Sequence, residues 1–318
     1  MSARSDILRL ALQVVEDTSE KPTPNLHQFL LHWNSIDEME ARFTDDLSRS
    51  LFRWYMAVRL ASEMNEANKF KRLRVFRGIH TEKRWQDYRE RAETLMNTKD
   101  GTVSENTDEV IETNILDGYI IKGEVEPREG EVVLDIGSFN GNNAIQFSNY
   151  VGATGRVYTF EPNPDLFPDV VKNCKPNPNI TPVNVGFAEA EKEVEFALEG
   201  PRTRPVVGNV KKKKTRTLKL RRLDDFVESE KLERVDFLKF DIEGSEVPAL
   251  TGAARTIRNF RPTCMVAIYH KPTDLYRIPK LIDPYGLWYD FKLRHYHWLP
   301  REMVLFAIPK SQAVPGYP

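Results

Sequence analysis

From Glu131 onward the chain alternates short apolar runs with amphipathic stretches, and no other feature restricts its fold as strongly. Val132 to Ile136, Arg156 to Phe160, Val183 to Phe187, Phe237 to Ile242 and Thr263 to Tyr269 read as strands. Asn142 to Tyr150, Asp165 to Asn173, Glu246 to Asn259 and Asp274 to Ile282 read as helices between or after them. Strands separated by helices are joined by crossovers, which makes them parallel and covers both faces of the sheet. Trp288 to Leu293 and Met303 to Ile308 have only a short connection between them and suit an antiparallel hairpin closing one edge. The expected fold is therefore α/β, doubly wound and mostly parallel, with extended insertions around Val194 to Leu198 and Thr215 to Leu220.

The turn-forming residues locate this domain. Of 16 glycines and 20 prolines, only Gly78, Pro22 and Pro24 fall in the first hundred residues, so a boundary is written in composition. The leading segment reads as helices. Ile7, Leu8, Leu12 and Val15 make one apolar stripe, and Leu47, Leu51, Trp54, Val58 and Ala61 another. This predicts a helical region over 1–105, serving as a lid or dimer contact, and a second domain over 106–318.

Other classes recede on simple grounds. Charge is balanced, 46 basic against 47 acidic side chains, so attraction to polyanions requires a local patch. Cys174 and Cys264 give neither a disulfide framework nor paired zinc spacing, which favours a reducing, cytoplasmic setting. No run approaches the roughly 18 apolar residues of a membrane span, and the N-terminus is amphipathic rather than signal-like.

The first strand ends in VVLDIGSFNGNNAIQFS, where Asp135, Gly137 and Gly141 lie on a strand-to-helix turn at the carboxyl edge of the sheet. The G-x-G-x-x-G spacing of a dinucleotide site is absent. An acid two positions before the first glycine suits a cofactor carrying an ammonium group, as S-adenosylmethionine does; the plain alternative is a structural turn capped by Asp135. The second strand, RVYTFEPNP, ends in Glu161, 26 residues after Asp135, where a doubly wound fold puts the carboxylate that accepts a ribose diol. Together the motifs select an adenosine cofactor and favour S-adenosylmethionine over NAD.

The set DIGSFNG, TFEPNP, RRLDDF, FLKFDIEGSEVPALTGA, VAIYHKPTDLYRIP, LRHYHW and MVLFA, in that order over residues 105 to 309, resembles the FkbM family of S-adenosylmethionine-dependent methyltransferases. DDLSRSLFRWYMAVRL is similar to the helical preamble of longer members. The resemblance implies a class I methyltransferase (Rossmann-like) fold with a seven-stranded sheet, and O-methylation of sugar or natural-product hydroxyls. It further implies that Asp135, Gly137 and Gly141 hold the methionine end and Glu161 the ribose, with Asn163 near the adenosine. The segment Gly186 to Glu189 is expected near the adenine. Asn140, Asn142 and Asn143 depart from the commoner pattern and leave their contacts to the methionine carboxylate open.

Methyl transfer to a hydroxyl needs an aligned oxygen and a place for its proton. Asp241, Glu243 and Glu246 follow the fourth strand and His270 the fifth, so all leave the same sheet edge. His270 is the first choice for general base, its ordinary pKa being near neutrality. The alternative is a structural histidine that caps a helix or bonds Glu243. Asp241 is a base, a substrate-orienting group or an electrostatic contact to the sulfonium, and Glu246 has a strong alternative as a first-turn helix acid that favours the helix dipole. Lys239 lies further inside the strand. Asp241, Glu243 and His270 also suit a divalent cation, magnesium or manganese. His295 and His297 read as partly exposed hairpin residues.

Between strands three and four, charge segregates. Glu189, Glu191, Glu193, Glu195 and Glu199 precede a stretch from Arg202 to Arg222 carrying ten Lys or Arg and no acid, including Lys211 to Lys214. A guarded edge strand is favoured over a patch for an anionic substrate or membrane surface at Lys211 to Arg222. Nucleic-acid binding is disfavoured, because aromatic stacking residues are missing from the run. The leading expectation is an S-adenosylmethionine-dependent O-methyltransferase acting on a saccharide or related metabolite hydroxyl. The alternatives are a catalytically silent cofactor-binding or nucleic-acid-associated protein, and an NAD enzyme. A homo-oligomer fits either of the first two.

Overall fold

The computed structural model describes residues 3–18, 33–61, 82–98, 104–199, 202–205 and 215–310. The chain opens with helices α1 (Ala3–Thr18), α2 (Trp33–Ala41), α3 (Asp46–Ala61) and α4 (Glu82–Thr98), as the scarcity of glycine and proline predicts. A short helix α5 (Thr107–Val110) is capped by the Asn106 side chain and runs into a π turn, Ile111–Ile115. Then follow β1 (Val132–Ile136), α6 (Asn142–Val151), β2 (Arg156–Phe160), α7 (Phe167–Cys174) and β3 (Ile180–Val183). The insertion supplies β4 (Gly186–Phe187), β5 (Lys192–Glu199), β6 (Arg202–Pro205) and β7 (Thr215–Arg221). The chain returns through α8 (Leu223–Ser229), β8 (Phe237–Phe240), α9 (Glu246–Thr251), α10 (Ala254–Phe260), β9 (Thr263–Ala267) and α11 (Asp274–Ile282), ending in β10 (Tyr289–His295) and β11 (Met303–Pro309).

Seven strands form one sheet in the order β10-β11-β9-β8-β1-β2-β3. β1 pairs in parallel with β2 and β8, β2 with β3, and β8 with β9, while β10 and β11 are antiparallel. The expected strand Val183 to Phe187 is corrected. Its first residue ends β3, and Gly186–Phe187 turn away to pair with β7 in a separate four-stranded sheet, β4-β7-β5-β6. Asn184 makes the break, its side-chain amide donating to Glu161 O at 2.7 Å. Pro182, which cannot donate to a ladder, is accommodated because β3 is an edge strand. The single helix expected over Glu246 to Asn259 is two, α9 and α10.

The chain divides into two compact units, residues 1–86 with 268–318, and residues 87–267. In the first, α1 packs on α2 and α3, and α3 packs on β10. α3 is buried nearly all round from Leu51 to Leu60, whereas Leu47, expected on its apolar stripe, is exposed. Polar groups fix the join to β10: Thr44 N–H donates to Phe291 O at 3.1 Å, and Leu293 N–H to Ser48 Oγ at 2.8 Å. The buried Asp283 carboxylate accepts the N–H groups of Leu287, Trp288 and Tyr289 and pairs with Arg42, so the turn into β10 is tied to the chain after α2.

In the second unit β1, β2 and β8 are buried almost throughout. Their apolar character follows from having covered faces on both sides. In the small sheet, the sequence-segregated charges meet across the antiparallel pair β5 and β7: Lys219 lies opposite Glu193, and Thr215 Oγ1 donates to Glu195 at 2.7 Å. Arg216 pairs with Asp165 and Arg222 with Asp225, so this part of the basic stretch is largely neutralised locally. Lys211 to Lys214 lie outside the described residues.

Candidate active site

β1, β2 and β8 are adjacent and parallel, so Ile136, Phe160 and Phe240 end at one edge and the loops 137–141, 161–166 and 241–245 open there. Gly137 has φ +95°, and a Cβ there would stand 1.9 Å from Asp241 O. Only glycine lets the first and third of these loops approach so closely. Gly137 and Ser138 N–H both donate to Phe160 O at 3.1 and 3.0 Å, which locks the first loop to the end of β2. Gly141, φ +89°, heads α6, and Asn140 Oδ1 accepts the Asn142 N–H at 3.0 Å.

Beneath this turn lies a buried ion pair. Asp135 accepts from Thr159 Oγ1 at 2.7 Å and meets Lys239 Nζ at 3.0 Å, and both side chains are enclosed. Lys239 also donates to Gly137 O at 2.6 Å and sits 5.2 Å from the centre of the Tyr119 ring. Asp135 thus supports the turn from below through Lys239, with its carboxylate directed into the protein. Such a pair gains from mutual attraction, yet breaking it leaves an uncompensated buried charge.

Glu161 stands at the end of β2, buried, and each of its oxygens takes one backbone donor: Oε1 the Asn163 N–H at 2.8 Å, Oε2 the Phe139 N–H at 3.1 Å. Burial pushes its carboxyl up to about 7 against these two hydrogen bonds. Asn163, also buried, accepts from Asp165 N–H at 2.9 Å and so shapes the loop. Gly186 opens β4 beside Pro162, which brings the insertion to the same edge.

After β8, Asp241 is half-buried and accepts the Tyr119 hydroxyl at 2.7 Å. Glu243 follows in the left-handed region, φ 54°, ahead of Gly244 at φ 94°. Glu246 is buried and folds back to accept the N–H groups of Ile242 and Gly244 at 3.0 and 3.3 Å, which fixes the loop bearing Asp241 and Glu243.

His270 belongs to the other unit, three residues past the end of β9, with its ring 4.2 Å from that of Tyr269. Tyr55 Oη donates to Tyr269 O at 3.3 Å, and the Arg59 guanidinium donates to the same carbonyl, so α3 holds the backbone next to this histidine. His295 and His297 are fully buried rather than partly exposed. His295 Nε2 lies 2.7 Å from Leu299 O, His297 Nδ1 accepts the Leu299 N–H at 2.8 Å, and the Trp85 ring lies 4.5 Å from that of His297. The N-terminal helices cover them, which pattern within the hairpin cannot foresee.

Several participants escape the sequence motifs. Tyr119 and the segment 104–121 precede the first strand and carry no spacing signature. Glu109 accepts from Ser104 Oγ at 2.6 Å and from Asn140 Nδ2 at 3.1 Å, Asn142 Nδ2 donates to Asn114 Oδ1 at 3.1 Å, and Gln146 to Thr113 O at 3.0 Å. Two of the asparagines that depart from the usual turn pattern, Asn140 and Asn142, thus tie it to this segment. Two features fit an adenosine cofactor at the edge. Ser138 Oγ is buried at the turn with no hydrogen-bond partner among the described residues, and each oxygen of Glu161 keeps a lone pair for a hydroxyl.

Residues 135–288 match the methyltransferase FkbM domain. The chain is 26% identical over 163 residues to the hexuronic acid methyltransferase AglP of Haloferax volcanii, an alignment covering 50% of this chain and 64% of that protein. Its structure is similar to the crystal structure of methyltransferase FkbM from Methylobacillus flagellatus KT, with a TM-score of 0.57 and 18% identity over 88% of this chain and 60% of the other. The chain therefore spans less than two thirds of the length of either. The shared fold is that of the class I methyltransferases, as the strand order requires.

Proposed function

We propose that this chain, whose residues 135–288 match the methyltransferase FkbM domain, moves the methyl group of S-adenosylmethionine onto a hydroxyl oxygen of a saccharide. The observation that carries the reading is the meeting of the Gly137 to Gly141 turn, Glu161 and Asp241 at one edge of a parallel sheet. That edge is where doubly wound folds receive a nucleoside cofactor. Support for a saccharide comes from the relative named for hexuronic acid. Bound there, the cofactor supplies an electrophilic methyl carbon on a sulfonium. Glu161 accepts the ribose hydroxyls, and Gly137, Asn140, Gly141, Asn163 and Gly186 form the backbone walls. His270 takes the acceptor's proton as the oxygen–carbon bond forms, leaving a methyl ether and the neutral thioether. Asp241, oriented by Tyr119, and Glu243 hold the acceptor hydroxyl. Its two buried, unpaired cysteines suit action in the cytoplasm. Among the described residues no helix is long and apolar enough to cross a membrane.

The test is calorimetry with S-adenosylmethionine and NAD, followed by mass spectrometry of uronic acid glycans incubated with enzyme and cofactor. Binding of S-adenosylmethionine with a 14 Da gain on a glycan is expected, a methyl group replacing a hydrogen, at about that mass; no binding would defeat the reading. His270→Ala should reduce transfer by about 100-fold or more with cofactor affinity unchanged, the usual worth of a general base. Unchanged turnover would remove His270 from the mechanism. The cation alternative for Asp241, Glu243 and His270 is settled in the same assay: transfer lost in EDTA and restored by magnesium or manganese would favour it over the base.

A further inference from the structure

Asp135, the acid whose place before the glycine turn suits an ammonium group, is committed to Lys239 and Thr159 and is fully enclosed. Another carboxylate reaches the turn from outside the motif. Glu109 of α5 meets Asn140, between the two glycines, at 3.1 Å. Both of its hydrogen bonds, from Ser104 Oγ and Asn140 Nδ2, fall on Oε2, while Oε1 takes none among the described residues. We propose that Glu109 is the residue that receives the primary ammonium of the cofactor's methionine end, with Asn140 and Ser104 holding the carboxylate in place. The inference rests on the S-adenosylmethionine reading above and assigns one subsite within it.

The chemistry is consistent on three counts. A carboxylate accepts up to four hydrogen bonds, so two on Oε2 leave Oε1 for an N–H donor. Burial raises the Glu109 pKa, and the hydrogen bonds from Ser104 and Asn140, then the nearby Lys239, offset this in part; an arriving ammonium would compensate the desolvated charge further. Charge-assisted bonds of this kind are roughly twice as strong as neutral ones. The geometry also gives the unusual Asn140 a purpose, since it couples the turn that cradles the cofactor to the group that reads its charge.

The experiment compares two ligands by calorimetry: S-adenosylhomocysteine, and its analogue in which hydrogen replaces the α-amino group. Glu109→Gln keeps the shape and removes the charge. It should weaken S-adenosylhomocysteine by about tenfold or more, the scale of one lost charge-assisted bond, and leave the deaminated analogue within about twofold. Glu109→Ala, which also gives up the Ser104 and Asn140 bonds, should show the same preference lost, and thermal unfolding reports whether each variant is folded. Equal weakening of both ligands would mean that Glu109 only shapes the turn and would overturn the assignment, as would no weakening of either. Wild-type protein that binds neither ligand would end the cofactor reading itself, a result distinct from either.

Discussion

Single positions at the sheet edge carry constraints that differ in kind. At Gly137 the constraint is steric: Gly137→Ala must push a Cβ into Asp241 O and hold a positive φ, so it should cost about 1–3 kcal/mol in urea unfolding and abolish cofactor binding. At Glu161 the constraint is electrostatic. Its folded pKa, about 7, lies above the ordinary 4.5, so between those values the native state binds more protons than the unfolded one. Its contribution to stability is full below 4.5 and is lost as pH rises to about 7. Glu161→Gln should flatten that part of the stability profile, which urea titrations at pH 5, 6 and 7 would measure, these being values within about that window. Ribose hydroxyls need the ionised carboxylate, so affinity for S-adenosylhomocysteine should run the other way and weaken below about pH 7 in the native protein alone. Opposite slopes for folding and binding mark a buried acid kept for a ligand.

Between elements, the Asp135–Lys239 pair joins β1 to β8 and holds the carbonyl of Gly137, so strand pairing and turn geometry depend on one buried contact. Lys239→Met would leave Asp135 buried without its cation and should cost about 3–5 kcal/mol; a melting temperature unchanged by the substitution would refute that role. Both residues sit in the recognisable segments, but their partnership was not legible. Asp135 reads there as a ligand group and Lys239 as a less direct candidate further inside its strand, because period-two spacing gives a side chain's face and not its partner. Tyr119 shows the same limit. Its hydroxyl reaches Asp241 across 122 residues of sequence, and nothing in the segment 104–121 announces it. Tyr119→Phe should leave cofactor affinity within about twofold while slowing methyl transfer by about tenfold, since it deletes one hydrogen bond that orients Asp241.

For the whole molecule, composition separates a helical beginning from the α/β remainder, whereas the structure groups residues 1–86 with 268–318. Phe52 packs against Phe43, which bridges to Phe291, so the helices and the last hairpin share a core. Phe52→Ala should cost about 3–5 kcal/mol and speed amide exchange across 289–309 ahead of 132–160; exchange rising equally in both would contradict it. The sequence alone determined the parallel strand order's raw material, the glycine turn and the carboxylate that follows the second strand. These are local: a strand ending in glycine or an acid must present it at its own carboxyl end. Tertiary structure alone decided that Asp135 faces a lysine, that Glu109 and Tyr119 join the turn and Asp241, that Gly186 leaves the main sheet, and that His295 and His297 are buried. Each depends on what a distant segment brings alongside, and side-chain pairing between segments far apart in sequence has no local period to betray it.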